Sequence, residues 1–229
     1  MGAQPESKLR EFLDKHLPSE AAMAAEAGAD EAQQLLDSGD VQAALQMLQE
    51  SLAADPGNDD ARFDYARLLI QTGAVSEAEA QIEEPLKRIQ QPLRFVALKA
   101  WAQAIRFVHE DDRGDWPLEQ FDAAIAANKR DFDTRFAKAQ ALMAEGQWTA
   151  SMDELLEIIM RDKTWNDQAA RKLFVAILEL LTPPKPKAND AVPGTTAGGI
   201  ALTGKASKQE DEVGALLSSY RRRLSMALN

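Results

Sequence analysis

The residues with the most obvious chemical capacity are few. His16 and His109 are the only histidines of the 229-residue chain. They lie far apart, and neither belongs to a helical histidine pair with an acid between, which a zinc site or a histidine general base would favour. Both read as surface or partly packed side chains. There is no cysteine, which removes disulfides, thiol nucleophiles and thiolate metal ligands but says little about compartment. The run Glu110-Asp111-Asp112-Arg113-Gly114-Asp115 concentrates carboxylates. A calcium loop needs alternating oxygen ligands, and Arg113 and His109 stand where carboxylates should be. Arg113-Gly114-Asp115 reads as a chance tripeptide. Gly194, Gly198, Gly199 and Gly204-Lys205 follow no strand and lack the lysine-serine order of a phosphate loop. Pro183 and Pro186 have the spacing of a recognition motif, which linker stiffness explains more simply. No nucleophile, base and orienting group come together. The chain is therefore expected to be no enzyme and to hold no cofactor or metal.

What remains is a pattern of packing residues. Ala32, Leu35, Gly39, Ala44 and Leu48 recur 34 residues later as Ala66, Leu69, Gly73, Ala78 and Ile82. Ala139, Leu142, Gly146, Ser151 and Leu155 form a third copy 73 residues further on, two periods and a small insertion away. Small residues let two antiparallel helices approach closely, and a glycine after the first helix supplies a left-handed turn. Asp40 suits the N-cap of the returning helix, and Asp55-Pro56-Gly57-Asn58 breaks the chain before the next pair. This period and residue order are those of the tetratricopeptide repeat, a helix-turn-helix unit that stacks into a solenoid. The expected fold is all-α, a tetratricopeptide-repeat solenoid with a C-terminal amphipathic helix.

Composition agrees. The chain is 45% hydrophobic and 6% aromatic, with many alanines and leucines and few β-branched runs. No apolar run approaches the roughly 20 residues of a bilayer span, and no signal-peptide pattern opens the chain. A soluble, cytoplasmic protein is expected. The net charge of -11 resides in residues 1–80, with 16 acidic and 5 basic side chains, whereas the remainder holds 21 of each. Such acidity disfavours nucleic acid and anionic lipid as partners.

The elements follow from periodicity and caps. An amphipathic helix over 5–17 carries Leu9, Phe12, Leu13 and His16 or Leu17 on one face and ends at Pro18. Helices are expected at about 20–38, 41–54, 58–72 and 75–90, the last kinked or interrupted by Pro85. A longer helix at 92–109 and a loop from His109 to Pro117 follow. Helices at 117–128, 131–145, 148–162 and 166–181 complete the array, with Asp131 and Asn166 as caps. Residues 182–208 are rich in Pro, Gly, Thr and Ala and read as a flexible linker. A final helix over 209–229 carries Val213, Leu216, Leu217, Tyr220, Leu224 and Leu228. The domains are thus 1–18, 19–181, 182–208 and 209–229.

Two segments go beyond a generic repeat. Gly2-Ala3-Gln4-Pro5-Glu6-Ser7, with Leu9 to Leu17, resembles the end of a thioredoxin domain where bacterial chaperedoxins join their repeats. Arg161-Asp162-Lys163-Thr164-Trp165-Asn166-Asp167-Gln168-Ala169-Ala170-Arg171-Lys172 and Tyr220-Arg221-Arg222-Arg223-Leu224 resemble the C-terminal region of that family. The resemblance implies a co-chaperone that holds unfolded client proteins and docks on the chaperonin through its last helix, here Glu212 to Asn229. It implies that segment 1–18 is the last helix of a preceding thioredoxin domain and that the chain is an excised fragment. No redox residue carries over, and the long segment 182–208 departs from the shorter members.

The remaining expectations concern protein partners. Repeats that grip acidic chaperone tails place basic and amide residues on the inner helix faces, yet the corresponding positions here are Ala29, Gln33 and Asp64. With Asp60 and Asp64 on one helix, the surface is expected to prefer basic or apolar segments. Tyr220, Arg221, Arg222, Arg223, Leu224 and Leu228 are the expected docking residues of the last helix. Trp101, Trp116, Trp148 and Trp165 are expected in seams between helices, with room for one to serve as an anchor. The alternative is a scaffold that joins specific partners without a chaperone role.

Overall fold

The computed structural model describes residues 20–183 and 205–229. The expected helix at 5–17 and most of the expected linker lie outside them. Every regular element among the described residues is helical. The chain divides into two compact units, one ending at Phe95 and the other beginning at Val96.

The first unit contains α1 (Glu20–Asp37), α2 (Val41–Ala54), α3 (Asp59–Gln71) and α4 (Val75–Leu86). Helices α1 and α2 form a hairpin that closes at Gly39, whose φ of 86° only glycine adopts cheaply. There the Asp40 N–H donates to the Leu35 carbonyl at 2.9 Å and the Gly39 N–H to the Leu36 carbonyl at 3.0 Å, satisfying carbonyls that the helix end would leave open. Asp40 then accepts from the Ala43 N–H at 3.1 Å and starts α2. The same turn recurs at Gly73, with φ 84°. Asn58 caps α3 by accepting from Asp60 and Ala61. Ala32, Ala44, Ala66 and Ala78 are all buried at the helix crossings, beside buried Leu48, Leu69 and Ile82. Leu35 is half-buried and packs against the cluster around Ala32, Ala44 and Leu48.

Pro85 shortens rather than kinks its helix. It stands in the last turn of α4, which ends at Leu86 instead of running on to residue 90. Its missing N–H and its ring weaken the turn that leads into it, through the carbonyl four residues before, and the helix ends one residue later.

Helix α5 (Leu93–Glu110) opens at the end of the first unit and continues in the second. A 3-10 turn, Asp112–Asp115, occupies much of the expected loop, and α6 (Leu118–Ala127), α7 (Phe132–Ala144), α8 (Trp148–Arg161), α9 (Trp165–Leu181) and α10 (Lys205–Leu228) follow. Phe121, Ile125, Ala137 and Ala141 form a buried cluster, covered by Phe107, Val108 and Trp116. Gly146 closes the α7–α8 hairpin with φ 73°, the third use of the same turn. Ser151 stands where the other copies have alanine, and its buried hydroxyl donates to the Ala139 carbonyl at 2.7 Å, so the close crossing survives a polar atom.

Two local expectations change here. Asp131 does cap α7, accepting from the Thr134 N–H at 3.0 Å. Asn166 does not cap α9: Asn166, Asp167 and Gln168 have φ values of 44°, 52° and 61°, a left-handed turn that short polar side chains tolerate better than most. Thr164 holds the N-cap position without a side-chain capping bond, and Asp162 fixes the turn before it by accepting from the Thr164 N–H and hydroxyl, each at 2.9 Å. The last helix starts at Lys205, ahead of residue 209, and packs across α8 and α9.

Candidate protein-binding surfaces

In the first unit the acidic start of α3 is the expected surface. Asp59 and Asp60 sit in its first turn, where the helix dipole favours carboxylates. Both are matched by arginines that follow α4. Arg88 grips Asp59 with two bonds of 2.8 and 2.5 Å. Arg94 bonds to Asp60 and lies 5.5 Å from the Phe63 ring centroid and 5.3 Å from that of Phe95, so its cation is held by aromatic faces as well as by charge. The Asp59 carboxyl is held below its ordinary range, chiefly by the Arg88 hydrogen bond. The expected acidic pair is thus divided: Asp60 has its own cation, and Asp64 is half-buried along the same helix. Gln33 is exposed and donates to Asp37 at 3.0 Å.

In the second unit α7 and α9 bring three rings together. Phe132 and Phe136, four residues apart, share a face of α7. The Trp165 ring at the start of α9 lies 6.3 Å from the Phe132 ring and 5.3 Å from the Phe136 ring. All three are half-buried, so the cluster shows apolar surface to solvent. Sequence reasoning marked Trp165 as a seam residue and missed its partners; the i, i+4 phenylalanines at a helix start were the available signal. Trp101 and Trp148 also pair edge-to-face at 5.2 Å, and Trp116 meets Phe121 at 5.3 Å, as seam residues should.

A polar cluster, unforeseen from the sequence, joins α6, α7 and α8. Lys138 bonds to Asp122 at 2.5 Å and to Glu154 at 2.6 Å, while Arg135 bonds to the other oxygen of Glu154. Both cations are buried. Burial opposes the Lys138 charge, but its hydrogen bonds to Asp122 and Glu154 outweigh that and raise its pKa. The Arg135 Nε is buried without a hydrogen-bond partner and Asp122 stays largely exposed, so the cluster is centred on Glu154, which serves both cations.

The residues expected to dock through the last helix have mixed positions. Tyr220 is buried against Phe174, ring centroids 6.2 Å apart, and its hydroxyl donates to Asp153 at 3.2 Å. Arg223 bonds to Asp153 at 2.7 Å and covers the Tyr220 ring. Arg221 donates to the Thr182 hydroxyl at 3.1 Å. Leu224 and Leu228 are half-buried, and the Leu228 carbonyl accepts from Lys163 at 2.7 Å. Arg222 is exposed. Tyr220 and Leu217 therefore face the protein, Leu224 and Leu228 do so in part, and Leu216 and Arg222 are exposed.

The acidic loop is engaged too. Arg113 bonds both oxygens of Asp111 at 2.9 Å, and the Arg113 N–H donates to the same carboxylate at 2.9 Å. These bonds pull the Asp111 pKa down to about 2, the Arg113 side chain contributing most. No group of acidic or histidine side chains among the described residues is arranged to hold a metal ion. His109 is exposed and His16 lies outside the described residues. None of the described helices is long and apolar enough to cross a membrane.

Known families add to this geometry. Residues 35–102 match one family model described as a tetratricopeptide repeat, and residues 111–191 match a second with the same description. No curated protein matches the chain.

Proposed function

From the premise that this chain is built of tetratricopeptide repeats, units that serve as protein-protein interaction modules, we propose that it captures segments of other proteins without chemistry, as the repeat half of a thioredoxin-linked co-chaperone. The observation that carries the reading is the aromatic cluster of Phe132, Phe136 and Trp165, half-open on α7 and α9. Rigid aromatic rings give large contact area at small entropic cost, which suits an anchor for apolar segments. The neutralised start of α3 argues against strict selection of basic segments there. Apolar stretches exposed by unfolded clients are the ligands that fit.

The finer parts of the proposal, client holding and chaperonin docking through α10, draw on the resemblance of residues 161–172 and 220–224 to chaperedoxins. In a light-scattering assay, the full chain should suppress aggregation of a chemically unfolded client. The double variant Phe136→Ala, Trp165→Ala should lose at least half of that suppression while keeping its circular dichroism. Unaltered suppression in the double variant overturns the assignment of the site, and no suppression by the unmodified chain overturns client holding. One stoichiometric folded partner in place of many clients would favour the scaffold reading.

A further inference from the structure

The last helix is seated through few groups. Among its described side chains only Leu217 and Tyr220 are buried; Leu224 and Leu228 are half-buried, and Gly214 has nothing within 4 Å of where a Cβ would stand. Its central polar anchor is Asp153 on α8, which takes both the Tyr220 hydroxyl and the Arg223 guanidinium; the Tyr220 hydroxyl also lies 3.4 Å from the Thr149 carbonyl, and two further bonds join Arg221 to Thr182 and Lys163 to the Leu228 carbonyl. The Asp153 anchor is half-exposed, with side-chain accessibilities of 44% for Arg223 and 52% for Asp153, so the ion pair selects more than it stabilises. Elements held by so few buried contacts belong to the low-stability end of a fold.

The direction of the C-terminal part of α10 is set by two contacts. Arg221 meets Thr182 just past the end of α9, whereas the Leu228 carbonyl meets Lys163 just before its start. This part of the helix therefore runs from the end of α9 towards its start, with Tyr220 between Phe174 and Asp153. The face beneath is a receptor that reads an apolar row together with a tyrosine and an arginine three residues apart.

We propose that this α8–α9 face is a binding site for amphipathic partner helices of that chemistry, and that α10 occupies it as a resident competitor. As part of the same chain, α10 competes intramolecularly, so a free helix gains the site only when α10 is weakened or the helix is in large excess. The consequence reaches both sides of the contact. The apolar row of α10 and the α8–α9 face are free for outside partners together or not at all. The inference goes beyond capture at the aromatic cluster, since it concerns different residues and survives if that capture fails.

The test uses the full chain and a fluorescein-labelled peptide of residues 209–229. In the double variant Leu217→Ser, Tyr220→Ala the resident helix is weakened and the receptor face intact, and the peptide should bind at least about tenfold more tightly than to the unmodified chain. Adding Asp153→Lys to that variant should cancel the gain. Equal binding to the unmodified chain and the double variant, or indifference to Asp153→Lys, overturns the proposal. A second readout avoids any folding defect of the variants. Excess unlabelled peptide added to the unmodified chain should speed amide hydrogen exchange in α10 and leave α7 unchanged. No acceleration in α10 overturns the exchange.

Discussion

Removing the carboxylate of Glu154 tests how the second unit tolerates buried charge. Glu154 serves two buried cations at once, Arg135 and Lys138, and its own side chain is 16% exposed. In Glu154→Ala, Arg135 loses its carboxylate and Lys138 keeps only Asp122, whose side chain is 62% exposed. Breaking a buried ion pair from one side costs about 3–5 kcal/mol; because Asp122 remains, the lower end, about 3 kcal/mol, is expected. Lys138→Met is the control. Methionine keeps an unbranched stem of comparable length, Glu154 keeps Arg135, and the exposed Asp122 returns to water, so the change should stay within about 1 kcal/mol. All four tryptophans lie in the second unit, so urea unfolding followed by tryptophan fluorescence reports this unit alone. At a slope of about 2 kcal/mol per molar urea, Glu154→Ala should lower the midpoint by about 1.5 M and Lys138→Met by no more than about 0.5 M. Equal shifts, or a larger one for Lys138→Met, would refute the assignment of Glu154 as the hub.

Other outcomes follow from the backbone and from charge. Ala at Gly39, Gly73 or Gly146 should each cost about 1–2 kcal/mol, because the left-handed turn penalises a Cβ, measured by thermal unfolding. Gly28→Ala should instead stabilise by about 0.5–1 kcal/mol, since its helix interior gains propensity and the new Cβ meets Ser51 at an ordinary 3.5 Å. Gly114→Ala should be the most disruptive glycine change by midpoint shift, as its Cβ would lie 2.1 Å from the Val108 carbonyl oxygen. Asp111 has its pKa lowered from 3.8 to about 2 by Arg113. Its contribution to stability is therefore complete above about pH 4 and is lost as pH falls to about 2; Asp111→Asn should flatten that part of an acid titration followed by tryptophan fluorescence.

How much of this was open to a reader of the sequence depends on the distance between the groups involved. The hairpin turns at Gly39, Gly73 and Gly146, the caps at Asp40 and Asp131, and the small residues at Ala32, Ala44, Ala66 and Ala78 all express rules that act within a few residues or within one repeat. Period and residue type suffice for them. Asn166 shows where local reasoning stops, because Thr164 takes the N-cap position and Asn166 itself enters a left-handed turn. The surfaces were hardest to read. Asp60 is paired with an arginine 34 residues away, and Asp153 with one 70 residues away. Arg135 and Lys138 resemble any solvated face of a helix until α6 and α8 close over them. The sequence by itself determined the repeat and its turns, since those are set by backbone sterics and local hydrogen bonds. Only the tertiary structure decided which charges are already spent, which aromatic rings remain open and which face of the last helix is covered, because those are properties of groups that meet only once the helices have packed.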